Sequence, residues 1–169
     1  MSRFTDQIVV VSGASRGIGK AIALAFAAEG AQVACLATKA ENAQETVDTI
    51  MSAGGRALAL GCDVGSAESV EQAFSKVAES LGTPSVLVNN AGVTRDTLLM
   101  RMSEDDWDRV LQTNLKGAFL TIRAASKSMM KARYGRIINI SSVIGLHGAA
   151  GQANYAASKA GLIGLTLSV

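Results

Sequence analysis

Apolar runs and stretches of helical spacing alternate along the chain. The runs, such as the β-branched Ile8-Val9-Val10-Val11, are typical of strands that are buried on both faces. The pattern predicts strands at 8–11, 33–37, 57–62, 86–88 and 136–141. It predicts helices at 18–29, 42–53, 66–81, 103–131 and from 152 onward. This alternation predicts a doubly wound α/β fold, a Rossmann-type arrangement of three layers around a parallel sheet.

We interpret residues 1–169 as a single domain. A chain of 169 residues with 49% hydrophobic content can bury one two-sided core, and no repeat, low-complexity tract or linker interrupts the pattern. Apolar helical spacing is still running at Val169. We therefore expect the domain to be truncated at its C-terminus.

Composition limits the classes of partner. A net charge of +2 and an aromatic content of 4% do not indicate a nucleic-acid binder. Residues 1–6 are short and polar, and the apolar runs are too short to span a bilayer, so we expect a cytoplasmic protein with no membrane partner. Cys35 and Cys62 lie in apolar runs and are expected to be buried, reduced thiols. His147 is the only histidine, so no metal site is predicted.

Glycines at 13, 17 and 19 lie in the predicted turn between the first strand and the first helix. In an open α/β sheet, this turn lets the backbone approach a dinucleotide pyrophosphate at a helix N-terminus. A nucleotide-triphosphate loop is excluded, because Ala21 follows Lys20 where a magnesium-binding Ser or Thr is needed. The other reading is a glycine turn without any ligand.

The end of the predicted second strand indicates which dinucleotide binds. An acidic residue there would bind a ribose 2′-hydroxyl and repel a 2′-phosphate. Thr38 and Lys39 stand at this position, and Arg16 in the glycine loop supplies a second positive charge. We therefore expect NADP(H) to be preferred over NAD(H), unless both basic side chains only face solvent.

Tyr155 and Lys159 are four residues apart on the last predicted helix and therefore share a face. A neighbouring ammonium favours the phenolate and makes the phenol a better proton donor. Reduction of a ketone needs such a donor at the oxygen. Ser142, at the end of the fifth predicted strand, can donate to the same oxygen. Taken alone, a Tyr-x-x-x-Lys pair is also compatible with a solvated helix face.

Several motifs together resemble the short-chain dehydrogenase/reductase family over the whole chain. The motifs are Gly13-Ala14-Ser15-Arg16-Gly17-Ile18-Gly19, Asp63-Val64, Asn89-Asn90-Ala91-Gly92, Asn114, Ser142 and Tyr155-Ala156-Ala157-Ser158-Lys159. The resemblance implies an NADP(H)-dependent oxidoreductase.

The resemblance also implies roles for individual residues. Asn114, Ser142, Tyr155 and Lys159 would be catalytic, with Asn114 holding a water that continues a proton relay from Lys159. Substrate would contact Ser142, Gln152 and Tyr155. The cofactor would contact residues Gly13, Ala14, Ser15, Arg16, Gly17, Ile18, Gly19, Thr38, Asp63, Val64, Asn90, Ala91, Gly92, Tyr155 and Lys159.

Within that family, residues 93–102 and 151–162 are similar to the 3-oxoacyl-(acyl-carrier-protein) reductases of fatty-acid synthesis. This similarity implies an acyl carrier protein bearing a 3-oxoacyl thioester as the partner. Other carbonyl substrates (acetoacetyl-CoA, a quinone or a polyketide) and a non-catalytic NADP(H)-binding role stay open. The family domain normally continues past position 169 with two more strands and a Pro-Gly segment that closes over the nicotinamide.

Three further expectations concern the surface. His147 is interpreted as a surface residue of a glycine-rich loop. A basic cluster, defined as Lys127, Lys131, Arg133 and Arg136, is either a solvated helix end or a dock for acyl carrier protein. The predicted helices that begin at Ser103 and at Gln152 carry more apolar residues, such as Leu162 and Leu165, than packing on one face of the sheet requires. The family resemblance implies that these helices pair between subunits. We therefore expect a homotetramer for the full-length protein.

Overall fold

The computed structural model describes residues 2–169 and contains one parallel sheet of five strands, in the order β3-β2-β1-β4-β5. The strands are β1 (Ile8–Ser12), β2 (Gln32–Ala37), β3 (Arg56–Gly61), β4 (Val86–Asn89) and β5 (Arg136–Asn139). Helices cover both faces, which confirms the predicted doubly wound Rossmann-type fold.

Seven α-helices are found in the described part of the chain. They are α1 (Gly17–Ala28), α2 (Ala40–Ser52), α3 (Ala67–Ser80), α4 (Glu104–Leu111), α5 (Gly117–Ala132), α6 (Ile144–His147) and α7 (Ala153–Leu167). Ser66 and Ser103 precede α3 and α4, and each side chain accepts a hydrogen bond from a backbone N–H of the first turn. No helix among residues 2–169 has the length and apolar character needed to cross a bilayer.

Alternate residues of β1 point to two separate cores. Ile8 and Val10 join a cluster with α3 and α5, whereas Val9 and Val11 join a cluster with α1 and α2. Every residue of β1 is buried, as expected for a central parallel strand with helices on both faces. Cys35 and Cys62 are free and buried within these cores, which confirms that expectation.

The long helix predicted at 103–131 is divided in the structure. A π-helical turn, Gln112–Lys116, separates α4 from α5 and inserts an extra residue into the helical repeat. Apolar spacing cannot reveal this turn, because the buried positions across it, such as Val110, Asn114 and Ala118, keep the spacing of a continuous helix. A 3₁₀ turn, Leu99–Arg101, also precedes α4.

The segment after β5 differs from the prediction. β5 ends at Asn139 instead of Ser141, and α6 occupies part of the stretch expected to be a glycine-rich loop. His147 lies at the end of α6 and is exposed. The helix that was predicted to run through Val169 ends at Leu167.

The strand order places a crevice at one edge of the sheet. β1 lies between β2 and β4, so the chain leaves β1 toward one side and later returns to its other side. Ligands of open α/β sheets bind at the carboxyl ends of the strands where the order reverses. The loops after β1 and β4 therefore form the centre of the candidate site.

Candidate active site

The glycine loop after β1 has a conformation that side chains would disturb. Gly13 and Gly17 have φ values of +67° and +55°, in the left-handed region that favours glycine. A Cβ at Gly19 would collide with Gly13 O and with Asn90 Nδ2. Two of these glycines therefore shape the turn, and the third permits the close approach of α1 to the loop.

Hydrogen bonds fasten this loop to the loop after β4. Ser12 Oγ accepts from the N–H groups of Asn90 and Ala91, both at 3.0 Å. Asn90 Nδ2 donates in return to Ser12 O at 3.1 Å and to Gly13 O at 3.2 Å. These four bonds therefore hold the two loops together at the floor of the crevice.

The N-terminus of α1 is open toward the crevice. Its N-cap residue, Arg16, makes no side-chain capping bond, and the first turn contains no acidic residue. Helix N-terminal N–H groups and the helix dipole favour an anion at such a position. The loop therefore fits the pyrophosphate of a dinucleotide.

A cleft of about 810 Å³ runs along the carboxyl ends of the strands. Among its lining residues are most of the predicted cofactor contacts, namely Gly13, Ser15, Arg16, Gly17, Ile18, Gly19, Thr38, Asp63, Val64, Asn90, Ala91 and Gly92. Ala14 is buried beneath the loop, and its N–H donates to Leu36 O at 3.0 Å. Lys39 is exposed beside the cleft but does not line it.

Some cleft residues were not found from the sequence. Asn42 and five residues at or near α4 also line the cleft, the latter being Asp105, Asp108, Arg109, Gln112 and Thr113. The Ser103 cap indicated only where this helix begins. Which of its faces meets the cleft depends on how α4 docks, and the sequence carries no local signal for that.

The loop after β3 lines part of the cleft with Cys62, Asp63 and Val64. Asp63 Oδ1 accepts from Gly65 N at 2.9 Å, and Asp63 N donates to Ser69 Oγ at 2.9 Å. Cys62 precedes this turn and lines the cleft, and burial raises the pKa of its thiol to about 11. The thiol is therefore protonated at neutral pH and acts as a small apolar group.

Tyr155 and Lys159 come together on α7, as the spacing predicted. Lys159 Nζ lies 5.7 Å from the centre of the Tyr155 ring and donates to Ile140 O at 2.6 Å. Lys159 is 4% exposed, and this burial lowers the pKa of its ammonium. The Ile140 carbonyl accepts one of the three ammonium N–H groups, and neither Tyr155 nor Lys159 is among the residues that line the cleft.

The segment that carries Ser142 packs directly against α7. Ser141 Oγ donates to Lys159 O at 3.0 Å, and a Cβ at Gly145 would lie 2.8 Å from the Lys159 carbonyl carbon. Ser142 Oγ accepts from Ile144 N at 3.2 Å. Its hydroxyl proton is therefore free to be donated to a substrate oxygen.

Asn114 lies in the π turn and is 2% exposed. Its Oδ1 accepts from Val93 N at 2.8 Å, and its Nδ2 donates to Val93 O at 3.0 Å and to Ser158 Oγ at 3.1 Å. The side chain thus joins the loop after β4 to α7. The proton-relay water that the family resemblance implies for this residue stays a prediction.

The two stretches that resemble 3-oxoacyl reductases contact each other. Thr97 N donates to Gly151 O at 2.9 Å, and Gln152 Nε2 donates to Asp96 Oδ2 at 2.8 Å. Gln152, the predicted substrate residue, is therefore held at the start of α7, three residues before Tyr155. Both stretches border one side of the candidate site.

Comparisons with known proteins agree with this geometry. A family model described as short chain dehydrogenase matches residues 7–169. The 3-oxoacyl-(acyl-carrier-protein) reductase of Synechocystis sp. is 49% identical over 170 positions, covering 100% of this chain and 69% of that protein. The reductase of the same name from Escherichia coli K12 is 47% identical over 166 positions, covering 98% and 67%.

A solved structure has the same fold. The crystal structure of a short chain dehydrogenase from Mycobacterium avium matches with a TM-score of 0.92 at 41% identity. The match covers 98% of this chain and 62% of that one. The chain therefore spans about two thirds of the length of the proteins that it matches.

Proposed function

This chain belongs to the short-chain dehydrogenase family. From that premise we propose that it acts as an NADPH-dependent reductase of 3-oxoacyl thioesters carried on acyl carrier protein. The observation that carries the proposal is the buried Lys159 ammonium beside the Tyr155 ring. A buried lysine is costly, and it is kept where its charge acts on a neighbouring group.

Two features of the cleft support a dinucleotide with a 2′-phosphate as the proposed cofactor. Gly13, Gly17 and the open N-terminus of α1 would hold the pyrophosphate. Thr38 follows β2 and carries no acidic group, and Arg16 lines the same cleft, so a 2′-phosphate beside Thr38 would meet no carboxylate from that residue and would have the Arg16 charge in the same cleft. When bound, NADPH supplies the hydride that reduces the carbonyl carbon.

The residues of α7 and the α6 segment would supply the proton and the orientation. Tyr155 donates its phenolic proton to the ketone oxygen as that oxygen becomes an alkoxide, which gives the 3-hydroxyacyl product. The Lys159 ammonium stabilises the resulting phenolate. Ser142 Oγ–H donates to the same oxygen and holds it toward the phenol.

Substrate identity is supported by the relatives and by charge. Both curated relatives bear the name of a 3-oxoacyl-(acyl-carrier-protein) reductase. All four side chains of the basic cluster are exposed beside β5. At the amino end of β5, opposite the carboxyl ends that form the cleft, such a cluster would raise the association rate of an acidic carrier protein more than the affinity.

A homotetramer is also proposed, but the two leucines that suggested it do not support it. Leu162 is 1% exposed and Leu165 packs against the core of the same chain. Exposed apolar side chains on α5 are better candidates for a subunit contact, since Phe119 is 45% and Met130 is 77% exposed.

The proposal is tested by measuring NADPH oxidation by the full-length protein with three substrates. These are acetoacetyl-(acyl carrier protein), acetoacetyl-CoA and a quinone. We expect kcat/KM for the carrier-protein thioester to exceed the others by about tenfold or more. Preference for the quinone, or no oxidation of NADPH with any thioester, would contradict the proposal.

A further inference from the structure

Asn154 is a completely buried polar residue whose side chain joins three parts of the site. It is 0% exposed and precedes Tyr155 at the start of α7. Its Nδ2 donates to Arg95 O at 3.0 Å and to Asp106 O at 3.2 Å, and its Oδ1 accepts from Tyr155 N at 2.7 Å. Both donors and the acceptor of the amide are therefore used.

The bond to Tyr155 replaces a missing helix cap. The first N–H groups of a helix have no partner within the helix, and the N-cap residue Gln152 makes no side-chain capping bond. Asn154 Oδ1 satisfies the N–H of Tyr155 in the first turn of α7. The same amide that fixes the tyrosine backbone therefore also holds the two other elements.

Those two elements are parts of the substrate and cofactor sides of the site. Arg95 belongs to the loop after β4, which also contacts Gly151 and Gln152 through Thr97 and Asp96. Asp106 belongs to α4, whose residues Asp105, Asp108 and Arg109 line the cofactor cleft.

Two other side-chain links in this junction are exposed to solvent. Arg95 Nε and Asp106 Oδ1 lie 3.9 Å apart, with side chains 50% and 34% exposed. The bond between Gln152 and Asp96 is also exposed. Exposed charged pairs and exposed bonds contribute little because water competes for them, whereas the two bonds donated by the buried Asn154 amide are partly shielded from water.

We propose that Asn154 is a positioning residue that holds the 93–97 loop and α4 against the start of α7, so that the substrate side of the site has its binding geometry before the thioester arrives. The residue acts through the loop and α4 and does not itself touch reacting atoms. The kinetic part of this inference rests on the proposed function.

The kinetic test is Asn154→Ala in the full-length protein. The variant keeps Tyr155, Lys159 and the glycine loop but leaves Arg95 O and Asp106 O without their donor. We expect the KM for the carrier-protein thioester to rise about tenfold, while kcat and the NADPH dissociation constant change less than about threefold. An unchanged KM, or a loss confined to kcat, would overturn the proposal.

A control separates positioning from lost stability. Val77→Ala truncates a fully buried side chain of α3, outside the residues that form the junction, and should lower the melting temperature without touching those residues. We expect its KM to equal that of the wild type. If Val77→Ala raised KM as much as Asn154→Ala does, the effect would be general destabilisation and the proposal would be wrong.

A second readout is independent of activity. Amide hydrogen exchange across residues 94–98 should speed up in Asn154→Ala and stay unchanged in Val77→Ala, because only the first variant frees the loop. A wild type that binds NADPH yet reduces no thioester would refute the proposed function alone, and exchange would still decide the role of Asn154. Unaltered exchange in Asn154→Ala would overturn that role.

A milder variant covers the case in which Asn154→Ala does not fold. Asn154→Ser keeps an oxygen near Tyr155 N–H but is too short to reach both carbonyls. Faster exchange at 94–98 and a raised KM in Asn154→Ser support the proposal, and wild-type values of both refute it.

Discussion

The two sides of the candidate site are built in different ways. On the cofactor side, every residue of β1 and β4 is buried, and the cleft is shaped by backbone, glycines and the bonds around Ser12. On the catalytic side, β5 alternates between exposed and half-buried residues, and the proposed chemistry would depend on single side-chain atoms of Tyr155, Lys159 and Ser142.

This difference predicts which property each substitution changes. A backbone-built surface loses its ligand when an added atom changes its shape, whereas a site made of side-chain atoms loses rate when one atom is removed. Binding of the dinucleotide and turnover should therefore be separable by mutation. The predictions that follow test this separation.

The largest expected effect is on turnover, from Tyr155→Phe. The change removes the transferable proton and keeps the ring, so kcat should fall by a factor of about 10²–10⁴. NADPH affinity should stay near the wild-type value, since the glycine loop is untouched. Steady-state kinetics and a fluorescence titration measure the two quantities. Retention of more than about a tenth of wild-type turnover would exclude Tyr155 as the acid, and His147 would be tested next.

A smaller effect, on binding alone, is expected from Gly17→Ala. Gly17 and Gly54 both have positive φ values, +55° and +81°, with no atom within 4 Å of an added Cβ. Alanine at either position is strained by about 1 kcal/mol, but only Gly17 faces the cleft. NADPH affinity should fall about tenfold in Gly17→Ala and not in the matched control Gly54→Ala. Equal affinities in the two variants would show that the loop does not hold the cofactor.

Cofactor preference should change with one side chain at the end of β2. The full-length protein should bind NADPH about tenfold more tightly than NADH, about 1.4 kcal/mol. Thr38→Asp adds a carboxylate to the cleft wall and should reverse this preference, whereas Lys39→Ala, beside the cleft, should change it less. Direct titrations with NADPH and NADH measure the two dissociation constants. Equal affinities in the wild type would contradict the preference predicted from Thr38 and Arg16.

The smallest expected effect is on the pH dependence of stability and concerns Lys159. Burial lowers the folded-state pKa of its ammonium below 10.5. Between that lowered value and 10.5, Lys159 binds more protons in the unfolded chain than in the folded chain, so its contribution to the free energy of unfolding rises with pH. Below this range the lysine is charged in both states, and the full cost of burying its ammonium is present. Denaturant unfolding of wild type and Lys159→Met should show their difference moving in favour of wild type as pH rises. A constant difference would show that the ammonium is not desolvated.

The fold and the backbone-built side of the site could largely be predicted from sequence. Apolar runs indicate the strands because buried parallel strands have no polar alternation, and the glycines of the first loop mark positions that need a positive φ or close contact. The family resemblance stated from these motifs was confirmed by the match over residues 7–169.

Details that depend on docking could not be predicted. The π turn around Asn114 has no periodic signature, and α6 forms within a stretch whose glycines favour a loop. The junction at Asn154 is likewise invisible in sequence, because its partners are the main-chain carbonyls of Arg95 and Asp106. Any residue type at those two positions would offer the same acceptor.

The most direct test of the central claim follows one hydride. The full-length protein is incubated with a 3-oxoacyl thioester on acyl carrier protein and with NADPH that carries deuterium at the position of the transferred hydride. The mass of the acyl product is then measured by mass spectrometry. The account predicts a 3-hydroxyacyl product with one deuterium on the carbon that carried the ketone, and loss of this product in Tyr155→Phe. A reduced product without deuterium, or no reduced product from the wild type, would contradict it.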